Sequence, residues 1–138
     1  MQNKEIFTKE FISTVIKTIL ISVAFNLVIL IIARLTIAAP DTFGPFMYSP
    51  VILLTLIGVI GAALVYVLLK KYSKNYTRVF KIISYIALLL SLIPDFQLPY
   101  SLDADDAGAT PLIIMVLIFM HIVTALIVIY YFTKDKKE

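Results

Sequence analysis

Long apolar runs, without the two-residue alternation of a half-buried strand, organise this chain. They extend from Ile12 to Ile32, Pro50 to Leu69, Val79 to Pro94 and Leu112 to Phe132. A helix needs about 20 apolar residues to cross a hydrocarbon core of about 30 Å, and the first, second and fourth runs meet that length. The third is marginal. Lys81 stands near its start and Pro94 and Asp95 close it. It spans only if Lys81 snorkels and the chain continues through Phe96 to Tyr100. Lipid offers no hydrogen bonds, so each segment must pair its own backbone groups. No ten-residue alternating pattern of a membrane barrel is present. The expected architecture is all-α membrane, a single four-transmembrane-helix bundle over residues 1–138, with helices near 12–34, 50–70, 79–95 and 111–132.

The punctuation between the runs repeats. The first helix exits through Ala39, Pro40, Asp41 and the third through Ile93, Pro94, Asp95. The second opens on Ser49 and Pro50, the fourth on Thr110 and Pro111, each reading as a hydroxyl N-cap before a proline at the first helical position. Two hairpins related by a pseudo-two-fold along the membrane normal would have this pattern. So would chance use of common helix-end signals.

Composition agrees with a lipid solvent: 61% of residues are hydrophobic and 15% charged, and the mean hydropathy is +0.98, outside the range of soluble domains. The absence of Cys removes thiol chemistry, disulfides and Cys-based metal sites. The pI of about 9.1 does not indicate nucleic acid, because the basic residues flank hydrophobic segments. Lys4, Lys9 and Lys17, then Lys70, Lys71, Lys74, Arg78 and Lys81, then Lys134, Lys136 and Lys137 all fall on one side, and only Arg34 on the other. The positive-inside rule therefore predicts both termini in the cytoplasm. The first helix is expected to be retained and not cleaved as a signal peptide, since its apolar stretch is too long and Arg34 separates it from Ala38 and Ala39. Asp41, Asp95, Asp103, Asp105 and Asp106 make the opposite side acidic. The excess of Lys over Arg, with much Ile and Tyr, suits an AT-rich bacterial genome and a bacterial plasma membrane.

Polar side chains deep in a transmembrane helix are costly and are functional candidates by default. Asn26 and His121 lie near the middle of the first and fourth helices and form a candidate intramembrane polar layer, able to bond directly if those helices are neighbours. One His cannot build a metal site, so no metal and no cofactor is expected. The plain alternative is a neutral imidazole holding the bundle together. Arg34 and Asp95 form a candidate ion pair at the outer rim. Ser84, Leu88, Ser91 and Asp95 share one stripe of the third helix. Thr55, Gly58, Gly61 and Ala62 make a candidate helix-packing face on the second, for a helix of this chain, a second copy or a membrane partner. Tyr72, Tyr76, Tyr130 and Tyr131 read as an aromatic belt at the inner face.

The pairs Asn26 with Leu27 and Ala33 with Arg34, the stretch Gly58 to Tyr66, the run Ser91, Leu92, Ile93, Pro94, and the pair Met120, His121 resemble an uncharacterised bacterial family of small four-helix integral membrane proteins, a domain of unknown function. The resemblance implies the same architecture and supplies no activity or ligand. With no phosphate loop, zinc motif or triad spacing, the expected function is that of a non-enzymatic membrane protein binding a partner or a lipid-soluble molecule. One alternative is a small transporter or channel lined by Asn26 and His121. Another is a lipid enzyme using Arg34, Asp95 and His121. Against the enzyme, His121 near the midplane is expected about 15 Å from a rim at Asp95, half the core thickness. Proton antiport is disfavoured because every acid is expected at or beyond a boundary.

Overall fold

In a computed structural model, residues 8–37, 43–102 and 108–134 are described. Four helical segments are long and apolar enough to cross a membrane: Lys9–Thr36, Tyr48–Tyr72, Tyr76–Tyr100 and Pro111–Thr133. The first, second and fourth are the uninterrupted helices α1 (Lys9–Thr36), α2 (Tyr48–Tyr72) and α5 (Pro111–Thr133). The third is interrupted. It consists of α3 (Tyr76–Ser91), the short α4 (Ile93–Gln97) and a 3₁₀ turn over Leu98–Tyr100.

Local chemistry explains the boundaries. Thr8 caps α1, its hydroxyl accepting from the Phe11 N–H at 3.1 Å, so α1 begins ahead of the first apolar run. Thr110 caps α5 in the expected way, with Pro111 at the first turn and its hydroxyl accepting from Ile113 N at 3.3 Å. Ser49 does not cap α2. A 3₁₀ turn at Gly44–Phe46 leads directly into that helix, which starts from Met47 without a side-chain cap. The two hairpins therefore enter their second helices differently.

Within the bundle, α1 and α3 occupy opposite corners, each packed between α2 and α5, which also touch one another. Two apolar clusters fill the interior. At the end carrying both termini, Phe11, Tyr66, Tyr76, Phe80 and Phe132 stack around Tyr66, with ring centroids 5.2 to 6.1 Å apart. Tyr72, Tyr130 and Tyr131 line the same end, with Lys71 and Lys134 lying over their faces. At the far end, Leu30, Ala33, Phe43, Phe46, Val51, Ile113, Leu117 and Met120 form the second cluster. Most other apolar side chains point outward, as lipid-facing surface must.

Candidate functional site

Between the two clusters the interior turns polar. The inward stripe of α1 runs Thr18, Ser22, Asn26, Leu30, Ala33, at the four- and three-residue steps that keep side chains on one helix face. Asn26 is 4% exposed. Its Nδ2 donates to Thr55 Oγ1 on α2 and to Thr124 Oγ1 on α5, both at 2.9 Å. The amide orientation follows from Thr55, whose own proton goes to Val51 O at 2.7 Å. That hydroxyl can only accept from Asn26, so the group facing it must be the NH₂. The amide thus ties three helices together. Its Oδ1, and the Ser22 Oγ one turn away, are buried without a hydrogen-bond partner.

His121 lies one turn of α5 from Thr124, displaced by about 4.5 Å along the axis, and belongs to a different group. Its Nδ1 is 2.9 Å from Leu117 O and 3.2 Å from Asp95 Oδ2. A carbonyl oxygen only accepts, so in a neutral ring Nδ1 carries the proton and Nε2 is the open acceptor. The proton aims chiefly at Leu117. Asp95 Oδ2 is therefore in electrostatic contact with the ring without a well-aligned hydrogen bond. The carboxylate is nonetheless buried, Asp95 being 7% exposed, whereas the His121 side chain is 36% exposed.

These two residues meet at an interruption of the third span. Pro94 lacks an N–H and its ring opposes the carbonyl four residues back, which disfavours a continuous helix through it. Ser91 turns its hydroxyl onto Leu88 O at 2.7 Å, and Leu92 N tightens onto Leu89 O at 3.3 Å. The helix is interrupted at Leu92 and restarts as α4, whose Asp95 lies against His121 in the middle of α5. This corrects two expectations. Asp95 is not separated from His121 by half a membrane, and not every acid lies at a rim. The stripe of Ser84, Leu88 and Ser91 leads towards Asp95, each of its residues less exposed than most of its neighbours.

The remaining candidates are distributed otherwise. Asn26 and His121 sit in adjacent layers and are not bonded to each other. Asp95 lies against His121 rather than Arg34, which donates to Phe46 O at 2.9 Å and stacks over the Tyr48 ring at 5.5 Å. Thr55 faces inward. Gly58 is exposed, and a Cβ added at Gly58 or Gly61 would meet nothing within 4 Å, so no helix of this chain packs closely against either glycine. The sequence reading missed Thr18 and Ser22, although their four-residue spacing from Asn26 was a visible signal. No cluster of three metal-ligating side chains occurs among the described residues.

The fold and this interior define a multi-pass membrane protein: a four-helix bundle with a carboxylate–imidazole pair and a tri-helical amide layer inside it. Residues 8–138 match the model of a family of unknown function, DUF6069, and the chain belongs to that family. No curated protein and no solved structure matches it.

Proposed function

We propose that the protein is a small, non-enzymatic proton-translocating membrane protein whose proton-binding centre is Asp95 with His121. The observation carrying this reading is the 3.2 Å approach of His121 Nδ1, near the middle of α5, to a buried, poorly satisfied carboxylate oxygen. Placing an ionisable pair within a transmembrane bundle is an inefficient way to gain stability, since apolar residues of similar volume serve as well or better. Ionisable side chains at this depth mark ion and proton pathways. The pair has two places for a transferable proton, the carboxylate and imidazole Nε2; one added proton converts an ionised carboxylate beside a neutral imidazole into a pair with no net charge, and its loss restores the charge.

The charge asymmetry of the loops supports cytoplasmic termini in a bacterial plasma membrane. A lipid enzyme is less well supported. Asp95 and His121 do meet, but Arg34 is engaged at the rim by Phe46 and Tyr48.

The test is proton flux into liposomes carrying the purified protein and an entrapped pH-sensitive dye, under an imposed pH gradient. Wild type is expected to conduct above empty vesicles, Asp95→Asn to return flux to that baseline, and His121→Gln to lower it at least tenfold. Helical content by circular dichroism controls for folding. Wild-type flux at the empty-vesicle level, or full flux in Asp95→Asn, would sink the reading.

A further inference from the structure

We infer, independently of the proton-translocation reading, that Lys9, Ser13 and Lys17 on α1 bind the phosphate of an anionic phospholipid, in the leaflet at the end of the bundle that carries both termini.

The α1 helix is longer than the membrane requires. Its 28 residues rise about 42 Å, against a hydrocarbon core of about 30 Å. Arg34 is engaged at the far rim by Phe46 and Tyr48. About 20 residues back from it, the other edge of the core falls near Thr14. Lys9 and Ser13 therefore lie at headgroup level, and the Cα of Lys17 lies just inside the hydrocarbon. Helical side chains tilt towards the helix N-terminus, so Lys17 snorkels back towards Ser13.

These three residues line an open groove of about 380 Å³ together with Ile12 and Ile16. Both lysines are exposed, and among the described residues no carboxylate pairs with either. The Thr14 and Thr18 hydroxyls donate to Glu10 O and Thr14 O, whereas that of Ser13 has no partner among the described residues. Two ammonium groups and a hydroxyl donor thus share one helix face at the depth of the bilayer phosphates, and an ammonium binds phosphate as a point charge. Ile12, Ile16 and Leu20 continue from them at four-residue steps, 48%, 52% and 64% exposed, a stripe on which an acyl chain lies. A soluble anion would use only the polar half of this surface; a phospholipid matches both.

The chain has no Trp, so Leu20→Trp supplies a single fluorescent reporter beside the groove. In vesicles of phosphatidylcholine and phosphatidylglycerol, with brominated acyl chains on one or the other, quenching of that reporter gives the local preference for the anionic lipid. Phosphatidylglycerol is expected to be preferred about fivefold or more, the weight of one lysine beside an anionic headgroup. Lys9→Gln with Lys17→Gln is expected to abolish the preference, and Lys9→Arg with Lys17→Arg to retain it. Lys74→Gln with Lys81→Gln removes the same charge from the same end at the α3 corner and is expected to leave the preference within about twofold. No preference in the parent, or equal loss in both Gln pairs, overturns the inference, the second by showing a diffuse surface field. Loss of the preference to inorganic phosphate at matched ionic strength overturns it by assigning the groove to a soluble anion. Absence of quenching by either lipid does so by placing protein over the groove.

Discussion

A buried amide that donates twice and a buried hydroxyl that can only accept fit each other for a reason that substitution can expose. Thr55 commits its proton to Val51 O and takes one from Asn26. Replacing Asn26 with Leu removes that donor and leaves no donor stranded, so the expected cost is the modest value of an interhelical bond in membrane, about 0.6 to 1.7 kcal/mol. Asn26→Asp is the more damaging change despite its closer shape. An ionised carboxylate there sets acceptor against acceptor at Thr55, whose proton is committed to Val51 O, and buries a charge with no cation beside it. Unfolding of the two variants by SDS titration is expected to rank Asp below Leu, and the reverse order would show that the amide orientation is wrong. Asn26 and His121 stand out in the sequence because they interrupt long apolar runs. Their partners do not, because a hydroxyl or a carboxylate reveals itself as a partner only when another helix faces it.

At the scale of elements, the third span differs from the rest. Its apolar stretch is short and ends in Ile93, Pro94, Asp95, which reads in sequence as a helix stopping at the surface. In the fold the helix is interrupted at Leu92 and resumes as α4, and Asp95 on α4 faces inward. Pro94→Ala restores an N–H and removes the ring clash, so α3 can run on as one continuous helix. The variant is expected to insert and remain helical while losing the Asp95 contact, read as a changed ¹⁵N signal of the single His matching that of Asp95→Asn. An unchanged signal would mean that packing of α4 on α5, rather than proline, enforces the interruption.

For the whole molecule, topology is the most accessible property. The chain has no Cys, so single cysteines can be introduced without background. Tyr100, which is 84% exposed at the end opposite the termini, and Asn75, exposed between α2 and α3, report opposite faces. In intact cells a membrane-impermeant maleimide is expected to label Tyr100→Cys, and to label Asn75→Cys only after lysis. The opposite pattern would invert the molecule and, with it, the direction of any proton route. Insertion itself does not depend on the polar centre. The α5 segment has a mean hydropathy of 3.1 over its most apolar window, far more than one imidazole offsets.

The sequence by itself determined the four spans, the shared end for both termini, and two of the polar positions inside the bundle. These follow from quantities summed along the chain: apolar length against bilayer thickness, and the placement of charges beside each run. Tertiary structure decided which polar groups meet. Asn26 found Thr55 and Thr124 because α1 packs against both α2 and α5. Asp95 found His121 because the interrupted third span packs along α5 through both α3 and α4. Those pairings depend on the rotation and bend of each helix. In lipid these are set by close packing and interhelical hydrogen bonds rather than by hydrophobic pattern, since every helix face is already apolar enough for the solvent.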